Sequence, residues 1–380
     1  MTTQIKLQTE EYKETELGLL PKEWEVAKII NIIDFQRGTE VGSDTYNKED
    51  RGIRFLRVVD VSGSRNEIIY TTSKNIKECN ENDVLITFDG SPGVVRKGLS
   101  GAYSSGIRKV VIKSDKVLLD FVYYVLITPF VQKTIQKYSV VVTIKHASKS
   151  IPHIKIPLPP LPEQKSIAFV LSTIQTAKEK TEQVIKATKE LKKSMMKHLF
   201  TYGPVSLEET EKVKLKETEI GMIPEEWEVV MLGDVANLVM GQSPPGKTYN
   251  EKGYGKPFLQ GKGEFGSLYP KHIKYTTKPL KTAKLGTVLL SVRAPVGDVN
   301  IADIDYCIGR GLASLSLKED DNKFLFYLLY LSKPLIEKEG VGSTFKAINK
   351  AKLQNFKIPL PPIPTQQKIA SILSVIDEKI

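Results

Sequence analysis

The segment GQSPPGKT, Gly241 to Thr248, has the spacing of a phosphate loop: a glycine, four residues, then Gly-Lys-Thr. In such loops backbone amides cradle phosphate oxygens between a strand and a helix. The residues that follow are YNEKGYGKP, and Gly253, Gly255 and Pro257 argue against the required helix. GKGEFG, Gly261 to Gly266, fits the dinucleotide pattern G-x-G-x-x-G, but Pro270 blocks the helix that should open there. The four histidines, His146, His153, His198 and His272, are scattered, with no partner at metal-ligand spacing. No G-x-S-x-G element occurs, nor the Asn/Asp-Pro-Pro-aromatic motif with which amino-methyltransferases hold a flipped base. These residues describe a recogniser that does no chemistry.

The elements that position these residues occur twice. KETELGLLPKEWEV, Lys13 to Val26, returns as KETEIGMIPEEWEV, Lys216 to Val229, with ten of fourteen positions identical at an offset of 203. Ile156 to Ile174 returns as Ile358 to Ile376, with twelve of nineteen identical at an offset of 202. A near-constant offset over separated blocks means that a unit of about 200 residues was duplicated. The first-copy equivalent of the phosphate-loop match, Gly38 to Thr45, has Ser43 and Asp44 where Gly and Lys should stand. Between the repeated edges the copies diverge within a common frame: Arg54-Phe55-Leu56-Arg57 over Pro257-Phe258-Leu259-Gln260, Asp83 to Ile86 over Thr287 to Leu290, and Gly106 over Gly309. These stretches, rich in β-branched and aromatic residues between turn formers, read as short strands. Apolar helical blocks follow at Phe121 to Leu126 and Phe324 to Leu329.

After Pro157, Pro159, Pro160 and Pro162 no proline or glycine occurs until Gly203, which predicts one long helix between Pro162 and Gly203. At 1.5 Å per residue it should run about 55 Å. Ile167, Leu171, Ile174, Lys178, Thr181, Ile185, Thr188, Lys192, Met195 and Leu199 follow coiled-coil spacing. The expected partner is the C-terminal copy, through Ile369, Leu373 and Ile376. Offset 202 sets Ile380 over Lys178, so the second helix stops about 20 residues short, which leaves docking on that side open. The expected division is a first domain over 1–155, the long helix over 156–203, a second domain over 204–357 and a shortened helix over 358–380.

The chain has 380 residues, with 55 Lys and Arg against 44 Asp and Glu, a net +11 that permits a polyanionic partner. Cys79 and Cys307 lack any CxxC or Cys/His context, which argues for a reducing compartment. The N-terminal stretch is polar, and the longest apolar runs fall far short of the ~20 residues of a membrane span. No membrane association and a cytoplasmic location are expected.

The combination resembles type I restriction-modification specificity subunits. LPPLPEQ, Leu158 to Gln164, with its echo LPPIPTQ, Leu360 to Gln366, looks like their conserved region. Gly18 to Glu25 and Gly221 to Glu228 are similar to the segment opening each target recognition domain, and GQSP at Gly241 to Pro244 matches a turn often seen there. The resemblance implies an α+β fold: two mixed α/β target recognition domains separated by two long antiparallel helices forming a coiled coil, duplicated about a pseudo-twofold. It implies that each domain reads one half of a split, asymmetric double-stranded DNA site. The helices would set the spacing and dock methylation (M) subunits, which bind S-adenosylmethionine and methylate adenine. Restriction (R) subunits would cut, and no cofactor is expected in this chain.

Phosphate contacts are expected from basic residues beside turns, and base readout from Arg, Gln, Asn or Lys. The first-domain candidates are Arg37, Arg54, Arg57, Arg96, Lys97, Arg108, Lys145 and Lys149. Those of the second are Lys247, Gln260, Lys262, Arg293, Arg310, Lys346 and Lys350. Arg57 and Gln260 lead as base readers, because they share a frame position yet differ in hydrogen-bond chemistry. Two other readings compete: a non-catalytic two-module coiled-coil scaffold for protein partners, and an enzyme that binds ATP at 241–248.

Overall fold

Each copy of the K-E-T-E block forms a hairpin. Tyr12–Thr15 pairs antiparallel with Gly18–Pro21, and Leu215–Thr218 with Gly221–Pro224. The turns need glycine, since Gly18 and Gly221 sit at φ of +99° and +111°. Even the pins repeat: Lys13 Nζ donates to the Lys22 carbonyl at 2.8 Å, and Lys216 Nζ to that of Glu225 at 2.9 Å. The computed structural model describes residues 11–64, 67–141, 145–319, 322–340 and 347–379. It divides into two compact units, the first ending at Lys180 and the second beginning at Thr181.

In the first unit a four-stranded antiparallel sheet has the order Val95–Arg96, Leu85–Thr87, Ile107–Ile112, Ile33–Arg37. A five-stranded sheet runs Tyr46–Asn47, Tyr70–Thr71, Ile53–Leu56, Gly101–Tyr103, Glu78–Cys79, with Ile53–Leu56 and Gly101–Tyr103 parallel. Helices Leu119–Ile127 and Pro129–Lys137 bury Phe121, Val122, Val131 and Ile135 with Ile33, Ile86 and Val110 of the four-stranded sheet. The second unit repeats both sheets. Its four-stranded order is Ala236–Met240, Leu312–Leu317, Val288–Ser291, Val299–Ile301, and the parallel pair of its five-stranded sheet is Lys256–Leu259 with Tyr306–Ile308.

Strand register corrects one sequence alignment. Phe55 and Phe258 do correspond, each pairing with the parallel strand of its sheet. Farther along, Ile107 lies opposite Thr87 and Leu312 opposite Ser291, so Gly106 corresponds to Gly311 and not to Gly309. The second copy has gained two residues by this point, which a fixed offset cannot follow.

The proline lead-in expected to open the helical region is itself a strand. Lys155–Leu158 pairs antiparallel with Glu25–Lys28, and Lys357–Leu360 with Glu228–Met231. The expected boundaries at 155 and 357 therefore fall at strands that close each domain. From there one uninterrupted helix runs Leu161–Tyr202, 42 residues. Its start is fastened where Trp24 Nε1 donates to Glu163 Oε2 at 2.8 Å and Gln164 Nε2 to the Pro159 carbonyl at 2.8 Å. It stops at Gly203, at φ +81°, whose amide bonds the Leu199 carbonyl at 3.0 Å.

The C-terminal helix, Ile363–Asp377, is far shorter at 15 residues. Lys192 of the long helix pairs with Asp377 at its end, while Met196, Leu199 and Phe200 share a core with Ile369, Ala370 and Leu373 farther back. The two segments thus run antiparallel. Of the expected seam, Leu199, Ile369 and Leu373 are buried, Ile185, Met195 and Ile376 are half-buried, and Ile167 packs on the first unit's core. Leu171 and Ile174, 38% and 59% exposed, have no such cover among the described residues. No helix among the described residues is long and apolar enough to cross a membrane.

Candidate nucleic-acid interface

In the second unit, strand ends from both sheets are laced into one edge of loops. After Ala236–Met240, the Gly241 amide bonds the Leu312 carbonyl at 2.9 Å and the Gln242 amide that of Ile308 at 2.9 Å. Gly311 N donates to the Gln260 carbonyl at 3.3 Å, Val292 N to that of Gly311 at 2.9 Å, and Ile348 N to that of Val292 at 3.0 Å. Glycine is required where backbones meet this closely: a Cβ on Gly241 would lie 2.1 Å from the Gly309 oxygen. Gln260, Arg293 and Arg310 stand exposed on this edge, with Lys350 exposed beside it at the start of the helix Lys350–Gln354.

The turn that carries Arg293 is rigidly held. Ser291 Oγ donates to the Pro295 carbonyl at 2.8 Å and accepts from the Asp298 amide at 2.9 Å. Asp298 takes Lys262 and Lys333 on its two oxygens, each at 2.7 Å. Burial pushes its pKa up, but these lysines outweigh burial and leave it below the ordinary carboxylate value. Lys262, expected at DNA, is therefore tied to Asp298 although exposed. Lys247 is exposed on the one-turn helix Gly246–Thr248, and Lys346 lies outside the described residues. Beyond Lys247 the chain enters the strand Tyr249–Asn250, with Thr248 buried against Thr276 Oγ1 at 2.9 Å. The helix that a phosphate loop needs does not follow.

The first unit builds the same edge from different side chains. Gly38 N bonds the Ile107 carbonyl at 3.1 Å, Ser104 N that of Leu56 at 2.9 Å, Phe88 N that of Gly106 at 3.0 Å, and Ala147 N that of Phe88 at 2.8 Å. Arg37 is exposed and Lys149 is exposed beside Ser148. Arg57 commits its guanidinium to Asp60 and to the Glu67 carbonyl. Arg108 is buried, 7% exposed, with Nη1 donating to the Ser105 and Ile107 carbonyls and Nη2 to Ser148 Oγ at 3.3 Å. Burial lowers its pKa, with Asp89 offsetting part of the loss. Lys145 donates to Gln136 Oε1. Arg54 is half-buried in its strand opposite Tyr70. Arg96 pairs opposite Leu85, the strand end away from the loops, and bonds the Val61 carbonyl at 3.1 Å. Lys97 pairs with Asp120 at 2.5 Å.

The structure thus brings Arg37, Arg57, Arg108, Lys145 and Lys149 to one edge and leaves Arg96 and Lys97 away from it. It adds residues that the sequence reading passed over: Asp89, whose Oδ1 lies 2.7 Å from His146 Nδ1, and Asp298. Asp89 follows the strand Leu85–Thr87 by two residues and Asp298 directly precedes the strand Val299–Ile301, and a place beside a strand end is the one signal that could have found them. The edge holds donors and acceptors on hydrogen-bonded backbone and, among the described residues, no arrangement of nucleophile and base.

The sequence pattern described as the type I restriction modification DNA specificity domain matches residues 21–190 and 224–380. The chain belongs to that family. A Methanocaldococcus jannaschii protein with the provisional name MjaX type I restriction enzyme specificity subunit is 39% identical over 98% of this chain and 91% of its own length. The MjaVIII specificity subunit of the same organism is 30% identical over 98% and 90%. A chain solved in work on complex assembly and conformational transition of the type I system is similar with a TM-score of 0.52 at 26% identity, covering 95% of this chain and 91% of that one. The specificity subunit of M. genitalium shares the fold, with a TM-score of 0.69 at 18% identity over 94% and 90%. As a type I specificity subunit, the chain is a DNA-recognition component, and its loop edges are where recognition is to be sought.

Proposed function

We propose that this specificity subunit reads a bipartite, asymmetric double-stranded DNA site, one half with each unit, and itself makes and breaks no bonds. The observation that carries this reading is the duplicated loop edge. Strands, turns and backbone hydrogen bonds repeat, while the side chains presented differ: Arg37, Asp89 and His146 in one unit, Gln260, Arg293 and Arg310 in the other. Base pairs are told apart by donor and acceptor patterns in the major groove, so two readers of different sequences need this combination. Exposed Lys149, Lys247 and Lys350 supply phosphate contacts that orient without specifying.

The partners in this reading are methylation subunits, which bring S-adenosylmethionine and methylate adenine, and restriction subunits in the full complex. The working division of labour keeps the closing strands Lys155–Leu158 and Lys357–Leu360 with the readers and gives the spacing role to the helices Leu161–Tyr202 and Ile363–Asp377. Phe169, Val170, Leu171 and Ile174 expose an apolar stretch of the long helix, suited to a protein partner. Mobility shifts across a salt series test the DNA reading. Binding should fall steeply from low to moderate salt, with a matched duplex held tighter than a scrambled one. Salt-independent or absent binding would instead favour a protein scaffold.

A further inference from the structure

Asp89 and Arg293 occupy one position of the duplicated frame. Each follows by two residues a hydroxyl that closes its turn: Thr87 Oγ1 bonds the Ser91 carbonyl and accepts from Val94 N at 3.1 Å, as Ser291 does in the second unit. Gly93 and Gly297, at φ +95° and +91°, return amides to the Thr87 and Ser291 carbonyls at 2.8 and 2.9 Å. Each position then makes an isolated antiparallel bridge with a later segment, Asp89 with His146 and Arg293 with Ala347.

On this shared frame three residues change together. In the first unit Asp89 Oδ1 meets His146 Nδ1 at 2.7 Å, and Oδ2 lies 3.9 Å from Arg108 Nη2. In the second, Arg293 replaces the acid, Ala347 stands where His146 was, and Ala313 takes the register position of Arg108. The carboxylate is thereby oriented by two neighbours. The guanidinium is exposed, and no acidic side chain among the described residues lies within ion-pair reach of it.

Resting on the DNA-reading role, we propose that position 89/293 is a specificity-determining position at which the two units are set to opposite hydrogen-bond chemistry. Arg293 donates to the O6 and N7 of a guanine in its half-site. Asp89 accepts from an exocyclic amino group, cytosine N4 or adenine N6, in the other half-site. A carboxylate beside phosphates is repelled, so this acid is tolerated at the edge with Arg108 3.9 Å from one oxygen and His146 on the other, and its remaining lone pairs are left to accept from a base amino group. Arg108 and His146 act as positioning residues for that carboxylate.

The test is selection from a randomised duplex library by the full chain and by Arg293→Gln and Asp89→Asn. Arg293→Gln should lose about tenfold preference for guanine at one position of one half-site. The other half-site and the binding of scrambled duplex should stay unchanged. Asp89→Asn should alter one position of the opposite half-site. Should Asp89→Asn fail to fold, His146→Ala, which keeps the acid and Arg108, should relax that same position. Equal weakening on every duplex would make Arg293 a phosphate contact and overturn the proposal. So would two selected half-sites that neither substitution alters. A parent chain that selects no sequence at all would overturn the DNA reading itself, and the proposal with it.

Discussion

Arg57 grips Asp60 by two hydrogen bonds, Nε to Oδ2 at 3.0 Å and Nη2 to Oδ1 at 3.2 Å. The Arg57 amide also donates to Oδ2 at 2.8 Å, so the acid caps the short helix Val58–Ser62 that follows. Gln260, at the same frame position, is exposed. Arg57→Ala should therefore lower stability by about 1–2 kcal/mol, since charge-assisted bonds on a part-buried group are lost, with base preference unchanged. Gln260→Ala should leave the melting temperature in place and cost about 1–3 kcal/mol of discrimination at one base pair. Melting curves and competition binding separate the two.

Asp377 joins the short C-terminal helix to the long one. It accepts Lys192 and, at 2.7 Å, the Tyr327 hydroxyl, while Lys192 Nζ lies 5.2 Å from the centre of the Tyr327 ring. Asp377→Ala strands both a lysine that is 16% exposed and a phenol, and should destabilise by about 2–4 kcal/mol. Lys192→Met keeps an apolar stem over the ring and should cost less. Denaturant melts of both variants check the order.

Asp305 predicts an acid-sensitive step. The hydrogen bond from Lys284, then the Leu285 amide and Lys256, hold its carboxyl at about 2 against an ordinary 3.8. A depressed acid stabilises the fold above its unfolded pKa, and the benefit fades as pH falls from 3.8 toward 2. Asp305→Asn should be less stable than the parent at neutral pH, and the gap should close over that window. Stability measured from pH 6 to pH 2 reads this directly.

The exposed stretch of the long helix should matter to assembly alone. Leu171→Lys with Ile174→Glu replaces apolar residues that touch no core. The variant should melt with the parent and bind duplex DNA equally, yet fail to retain methylation subunits on a sizing column.

The duplication and the long helix were legible because both are local or periodic: repeated blocks survive as identity, and beyond Pro162, in the first turn, the helix has no glycine or proline up to Tyr202. Strand correspondence past residue 87 was not, because small insertions slide the register while turns stay alike. Nor was the fate of the arginines. Arg108 is buried by its place in the strand Ile107–Ile112, beneath Ser105 and Ser148, contacts made by chain segments that sequence does not pair. Asp60, three residues beyond Arg57, did carry a capping signal that charge alone obscured. Asp89 was not legible because the side chains that hold it, Arg108 and His146, come from segments that the sequence does not pair with it.

Sequencing the methylated adenines in DNA from cells carrying this chain with its methylation subunits tests the central claim most directly. The account predicts one motif of two short defined halves separated by unspecified base pairs, with Gln260→Ala changing one half only. A contiguous motif, or a single substitution that rewrites both halves, would contradict it.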